Sequence, residues 1–305
     1  MLLLFIVNPS SGNGRGARTW REVEKGLKEK NTPYRVAFTK QPEDGIRLVH
    51  QFLSEIEESE IRGIIAVGGD GTLHEVANGI LQSGKEITFG LIPAGSGNDF
   101  AREFKLGSWE SALAHILAGK SGKIDVGVVN DRYYFVNNLG AGFDGEVSWV
   151  ANRSWYKNWL NRLKLGKVAY IITLVLLLIS FKRMSLTITI GQKSKTWHKA
   201  WLVAVGNIKN YGGGMMICPD AIPNDGKFQI CVVHGLSPLK LLLLFPKVFS
   251  GKHKGHPAVE LIEAEELLIE TNYPCYVHMD GEVKIKTPTQ IRIRKQLLNV
   301  FQPQL

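Results

Sequence analysis

The segment GIIAVGGDGTLHE at residues 63–75 joins a short apolar run to glycines clustered around Asp70, and then to a helix-compatible pattern. A run of this length bounded by glycine reads as a buried strand. The same arrangement recurs on either side. The first apolar run, 2–7, is followed by Asn8-Pro9-Ser10-Ser11-Gly12-Asn13-Gly14-Arg15-Gly16, and the run at 89–92 by Pro93-Ala94-Gly95-Ser96-Gly97-Asn98-Asp99-Phe100. With further strands expected at 34–38 and 123–129, and Trp20, Val23 and Leu27 marking a helix face, strand and helix alternate through residue 129. That alternation implies right-handed crossovers and a mostly parallel sheet. Ligands of such sheets bind beyond the carboxyl ends of the strands, where all three glycine loops fall. Glycine lets backbone N–H groups approach phosphate oxygens, and a following helix adds a favourable dipole, so the three loops together point to a polyphosphate site.

Two common phosphate motifs are excluded. Gly119-Lys120-Ser121 has Ala114 where a Walker A loop needs glycine, and Thr39 and Lys40 stand where a dinucleotide fold would end its second strand in an acid. Beyond residue 129 the pattern changes. The runs 186–190, 201–207, 228–233, 267–271, 275–281 and 290–294 are β-rich, several with period two, which suggests an antiparallel sandwich. The expected fold is therefore α/β plus β: an N-terminal α/β domain, then an antiparallel β-sandwich.

At 305 residues and 44% hydrophobic, the chain suits two packed domains and excludes disorder. Cys218, Cys231 and Cys275 form no CxxC spacing, which argues for a reducing compartment, against a zinc knuckle, and for small buried side chains. The N-terminal apolar run has no positive segment before it and reads as a strand, not a signal peptide. The most apolar stretch, 168–181, is 14 residues long, short of the roughly 18–20 needed to cross a bilayer. It reads as a buried helix or one that docks on a membrane.

Charge is uneven. The net charge is +9, yet no acid lies between Glu146 and Asp220, where Arg153, Lys157, Arg162, Lys164, Lys167, Lys182, Arg183, Lys193, Lys195, Lys199 and Lys209 accumulate. Trp149, Trp155, Tyr156, Trp159, Tyr170, Trp197 and Trp201 are interleaved with them. Cations with interfacial aromatics suit an anionic membrane surface, and no nucleic-acid recognition signature accompanies them; a solvated basic face is the plainer alternative.

NPSSG, GGDGT and PAGSGNDFAR together resemble the bacterial lipid kinases related to the diacylglycerol and sphingosine kinases. DVG at 125–127, AIPNDGKF at 221–228 and Asp280-Gly281-Glu282 extend the resemblance over nearly the whole chain. It implies an ATP-binding domain at 1–125 that regains the C-terminal segment 291–305, a lipid-binding β-sandwich at 126–290, and an active site in the cleft between them. It further implies a kinase using ATP and Mg²⁺ on a lipid hydroxyl, peripheral to the cytoplasmic face of a membrane. By this resemblance Asn8, Thr39, Gly69, Asp70, Gly71, Thr72, Leu73, His74, Glu75 and Ser96 contact the nucleotide. Ser96 stands where the family also carries threonine, so the hydroxyl is kept. His74 is expected on the helix surface.

A lipid hydroxyl is a poor nucleophile, so phosphoryl transfer calls for Mg²⁺ on the phosphates and a carboxylate to take the proton. Asp70, in a glycine loop, is placed in the Mg²⁺ network, through water where the ion keeps its own. Asp280 and Glu282 point to one side if their strand continues. The resemblance makes Glu282 or Asp280 the general base, and its sphingosine-kinase branch gives that role to Asp70. It also implies a second, structural Mg²⁺ on Asp225 with the carbonyls of Ile222 and Lys227. Asp125 either supports the nucleotide loops or metal, or acts at a hinge. Each acid near a glycine also has a plain reading as a turn residue. His253 and His256, in KHKGH at 252–256, are expected in a solvated basic loop. An NAD kinase and a non-catalytic nucleotide- or lipid-binding regulator are the alternatives, and the β-rich half offers edges through which a homodimer could pair.

Overall fold

The structure is a computed structural model that describes residues 1–153 and 177–302. Four parallel strands, β1 (Leu2–Val7), β2 (Tyr34–Phe38), β3 (Ile61–Gly68) and β4 (Phe89–Pro93), lie in the order β4-β3-β1-β2. Helices α1 (Ser11–Glu29), α2 (Asp44–Glu55), α3 (Asp70–Ser83), α4 (Asp99–Glu103) and α5 (Trp109–Ala118) connect and flank them. Leu3 to Val7 are wholly buried, as a continuous apolar run must be when helices cover both faces of its sheet. Trp20, Val23 and Leu27 do form the inner face of α1, with the Trp20 ring 5.1 Å from Phe5.

β5 (Ser121–Val129) carries the chain out of this layer, and β15 (Thr289–Phe301) brings it back. The two pair antiparallel from Ile291 opposite Val129 to Phe301 opposite Ser121, with a register shift between Arg294 and Leu298. One end of β15 also pairs with β12 (Glu266–Thr271) and the other runs parallel to β4, Val300 opposite Phe89. There Phe301 fills the space left by Gly63 and Gly90: a Cβ on Gly63 would meet its ring at 2.5 Å.

Asp125, fully buried, secures the irregularity. Its Oδ1 accepts from the N–H of Gln296 and its Oδ2 from that of Gly226, both at 2.7 Å, while its own N–H donates to the Pro223 carbonyl at 2.7 Å. One side chain thus ties β5, the shifted part of β15 and the 222–226 loop together.

The remaining strands are antiparallel: β6 (Tyr133–Phe135), β7 (Asn138–Gly142), β8 (Met184–Ile190), β9 (Lys193–Gly206), β10 (Phe228–His234), β11 (Val259–Ala264), β13 (Tyr276–Met279) and β14 (Glu282–Lys286), with β12 between β8 and β15. The first half of β9 pairs with β8, its second half with β7 and β10, so one strand serves both parts of this layer. The expected α/β plus antiparallel β architecture is present, joined into one continuous sheet through β15. β6, β7, β11 and β14 carry no clear sequence signal: they are short, glycine-rich or charged. The second half also carries α6 (Phe143–Arg153) and α7 (Pro238–Leu244), the latter capped by Ser237 Oγ and followed by 3₁₀ turns at Phe245–Ser250 and Lys252–Gly255.

All three cysteines are buried and free. Among the described residues, no helix is long and apolar enough to cross a membrane. Residues 168–176 of the apolar stretch, and Lys157, Arg162, Lys164, Lys167, Trp155, Tyr156, Trp159 and Tyr170 of the basic-aromatic stretch, lie outside the described residues.

Replacing Asp125 by Ala leaves the buried Gly226 N–H and the Gln296 N–H without their acceptor at the crossing of the layers. Urea unfolding of Asp125→Ala should show a loss of about 2–4 kcal/mol; an unchanged midpoint would remove the clamp.

Candidate active site

The three glycine loops meet at the carboxyl edge of the parallel strands. Gly12, Asn13 and Gly14 adopt left-handed backbone, with φ of 57°, 57° and 81°, which interrupts the start of α1 and folds the loop over its neighbour. A Cβ on Gly12 would overlap the Ala94 carbonyl, and one on Gly95 would overlap the Cα of Gly69. Gly68 closes the contact by accepting from the N–H groups of Ala94 and Gly95 at 2.7 and 3.1 Å. Asn8 shapes the first loop, its Oδ1 accepting from the N–H groups of Ser10 and Ser11 at 3.1 and 3.2 Å. Its own N–H donates to Val67, and that of Thr39 to Val7. Asn8, Thr39, Gly69 and exposed Ser96 therefore occupy adjoining loops on one rim.

From that rim α3 begins at Asp70, with its N-terminus free of any side-chain cap. Gly71 is exposed there; Thr72 and Leu73 are buried. Glu75 turns toward the next loop, its carboxylate accepting from the N–H groups of Glu43 and Gly45 at 2.8 Å each, so it holds the start of α2. His74 is not on the surface as expected. It is 3% exposed, and its Nδ1 donates to Asp280 Oδ2 at 2.9 Å, because the second half of the chain packs over this face of α3.

Four carboxylates, those of Asp70, Asp99, Asp280 and Glu282, gather at the helix start. Asp70 Oδ1 accepts from the Asp99 N–H at 3.2 Å; Asp99 in turn pairs with Arg102 and accepts from Gly213 N–H at 2.8 Å. Burial, then the charges of Asp99 and Asp280, push the Asp70 carboxyl up to about 6. Asp280 lies at the tip of the β13–β14 hairpin, with φ of 51° and Gly281 at 92°. The expected continuous strand is broken here, because Asp-Gly takes a left-handed pair that turns the chain. The Asp280 carboxylate, fully buried, accepts from the N–H groups of Val136, Asn137 and Asn138 at 3.1, 2.9 and 3.0 Å, besides His74. Glu282 opens β14; its Oε1 lies 3.7 Å from where a Cβ on Gly71 would stand, and among the described residues its carboxylate makes no hydrogen bond or ion pair. Asp70, Asp280 and Glu282 are thus brought to one helix end from positions some 210 residues apart.

Asp225 is elsewhere. It sits on an exposed turn with Ile222, its Oδ1 accepting from Lys227 N–H at 3.0 Å. Among the described residues, no group of three or more His, Cys, Asp or Glu could hold a metal by itself.

Past the carboxylates a cavity of about 420 Å³ runs into the second half of the molecule. Asp70, Asp99 and Asp280 form its polar end; Leu178, Leu202, Val233, Leu244, Val248 and Val259 contribute to its apolar wall. Between them sits a pair that the sequence did not reveal, Asp144 and His278, with Nε2 donating to Asp144 Oδ2 at 2.7 Å. Burial alone would lower the imidazole's proton affinity, but Asp144 and Asp280 outweigh it and raise the pKa. The Tyr211 ring stacks on His278 at 5.9 Å. His253 also lines the cavity. Contrary to the expected solvated loop, it is 1% exposed with Nε2 donating to the Ile217 carbonyl at 3.1 Å, because the 3₁₀ turns fold it inward. Burial lowers its pKa.

Residues 2–129 match the diacylglycerol kinase catalytic domain, and residues 137–302 the YegS C-terminal NAD kinase beta sandwich-like domain. This chain belongs to the diacylglycerol kinase-like lipid kinases. Relatives in the family span nearly its whole length. YtlR of Bacillus subtilis (strain 168) is 30% identical over 94% of this chain and 95% of its own. The diacylglycerol kinase of Mycobacterium tuberculosis (strain ATCC 25618 / H37Rv) is 27% identical over 98% and 94%. A crystal structure from Bacillus anthracis str. Sterne, assigned to the diacylglycerol kinases, superposes with a TM-score of 0.80 at 25% identity and covers 99% and 95% of the two chains. The chain is accordingly a phosphotransferase with an alcohol acceptor at the level of this lipid kinase family, and kinase membership implies use of ATP.

The raised Asp70 carboxyl carries a stability signature. Between its ordinary 3.8 and about 6 the folded state holds a proton that the unfolded state has released, so stability falls as pH rises through that window. In metal-free buffer, Asp70→Asn should gain about 1–3 kcal/mol over the parent at pH 7.5 and nothing near pH 3.5. Thermal unfolding at the two pH values measures this, and an equal or negative difference at pH 7.5 would contradict the buried-charge account.

Proposed function

We propose that the lipid kinase works with ATP and Mg²⁺, and that its acceptor is the hydroxyl of a membrane lipid whose chain lies in the 420 Å³ cavity. The observation that carries this reading is the cavity's polarity: an apolar tunnel whose carboxylate end abuts the phosphate-suited glycine loops. A hydroxyl brought to the carboxylate end by a chain buried among Leu202, Val233 and Val248 would face phosphates cradled by the loops at Asn8, Gly69 and Ser96.

The donors fit Mg²⁺. Asp70 is destabilised by neighbouring negative charge that a divalent cation would relieve, and Mg²⁺ is commonly held by one or two carboxylates, substrate phosphates and its own waters. Asp70 would carry it, and the ion would neutralise charge on the transferring phosphate. The hard oxygens of Asp225 and of the Ile222 and Lys227 carbonyls suit the same ion in a structural role.

The proton falls to Glu282. Its carboxylate is unengaged and close to the start of α3, whereas both oxygens of Asp280 are occupied by N–H donors. Asp280 instead positions residues 136–138 and His74. Thr39, Thr72, Leu73, His74 and Glu75 border the nucleotide, with Glu75 acting by holding the loop between Thr39 and α2.

Transfer of labelled γ-phosphate from ATP to a panel of lipids in mixed micelles, with NAD alongside, tests this. Label should enter a lipid, require Mg²⁺, and fall by about 10²–10⁴ in kcat for Glu282→Gln. Label in NAD alone would overturn the lipid assignment; a folded Glu282→Gln protein turning over at the parent rate would move the base to Asp70 or Asp280.

A further inference from the structure

The 21 residues at 236–256, LSPLKLLLLFPKVFSGKHKGH, contain no acid and four lysines. They fold as α7 and the two 3₁₀ turns, and their apolar side chains divide between two faces. Leu241, Leu244 and Val248 line the cavity. Leu239, Leu243 and Phe249 face out, exposed by 66%, 69% and 51%, and Leu242 and Phe245 are exposed by 42% and 37% while also touching the cavity. Scattered exposed leucines are ordinary, but five large apolar residues within eleven positions form a concentrated surface. Lys240, Lys247 and Lys252 are exposed in the same segment, and none of the three makes an ion pair among the described residues; Lys254 pairs with Asp220.

We infer that residues 238–252 are the element by which this protein docks on an anionic lipid bilayer, with Leu239, Leu243 and Phe249 inserted among acyl chains and Lys240, Lys247 and Lys252 at the headgroups. Exposed apolar side chains flanked by unpaired cations match that interface in both layers: hydrocarbon below, negative charge above. Lysine suits the boundary because its alkyl stem lies along apolar surface while the ammonium stays with the headgroups. The inner side of the same element roofs the cavity, so a docked molecule presents the cavity wall directly to the membrane. A lipid could then pass inward without exposing its chain to water. This last step rests on the lipid kinase reading; the docking itself does not.

The test uses the full chain and vesicles of phosphatidylcholine alone or mixed with phosphatidylglycerol. The parent protein should co-sediment with the anionic vesicles, less so as salt rises. The triple variant Leu239→Ser, Leu243→Ser, Phe249→Ser should lose at least about tenfold in binding at every salt concentration. Lys240→Glu with Lys247→Glu should lose binding at low salt and flatten the salt dependence. Phosphorylation of a short-chain, water-soluble acceptor should stay within about twofold in the triple variant while that of a long-chain lipid in vesicles falls at least about tenfold, since only the second requires docking. Unchanged vesicle binding by the triple variant overturns the inference. So does a parent dimer that the substitutions convert to monomer without affecting vesicle binding, which would assign the surface to a second copy. If vesicle binding depends on these residues but no lipid is phosphorylated, docking stands and the proposed kinase chemistry falls.

Discussion

Backbone lies against backbone where β3 and β4 end, because neither Gly69 nor Gly95 has a side chain to hold the two loops apart. The start of α3 is set by that contact, since Asp70 follows Gly69 directly, and so is the position of the Asp99 N–H that Asp70 accepts. A methyl group at Gly95 would separate the loops and move Asp70 away from Asp99. The first loop depends on the same geometry, because its left-handed Gly12 rests on the Ala94 carbonyl. A phosphate site made of main-chain N–H groups needs this rigidity, having few side chains to correct a misplaced loop.

One carboxylate gathers much of the second half's hold on that site. Asp280 collects three consecutive N–H groups of residues 136–138 and the imidazole of His74, so a hairpin of the β-rich half, the entry into β7 and helix α3 share one anion. A carboxylate with this many donors is well suited to hold its surroundings in place, and poorly suited to collect a further proton. Glu282, two residues on, has no hydrogen bond or ion pair among the described residues, as the proposed proton acceptor requires. Neighbouring acids in one short motif thus differ sharply in their local hydrogen bonding, and the roles proposed for them follow that difference.

Much of this was legible in the sequence, and the illegible parts have physical causes. β1, β3 and β4 announce themselves because strands buried on both faces must be continuously apolar. Asp70, Asp280 and Glu282 stand out because each adjoins glycine in a chemically suggestive motif. β7 was hidden for an instructive reason: two of its five residues are glycine, which weakens any strand pattern. Gly140 is needed there, since a Cβ would overlap both Asp144 and His278, and the pair meets in the space its absence leaves. Those partners are 134 residues apart and belong to no local pattern. His74 and His253 were misplaced because burial of a helix or loop histidine is decided by what packs over it, which a neighbouring sequence does not record.

The pairing of β15 with β4 also orders events in time. Phe301 fills the hollow over Gly63 and Gly90, and Val300 supplies the neighbour for Phe89, yet both are made more than 200 residues after the strands they complete. While the chain is being synthesised, the parallel sheet must therefore wait with an open flank and an unfilled hollow beside β4. Its final strand emerges only after the β-rich half has left the ribosome. The parallel layer comes first in sequence but closes last, so a ribosome that stalls before β15 leaves an exposed sheet edge of the kind that invites association between chains.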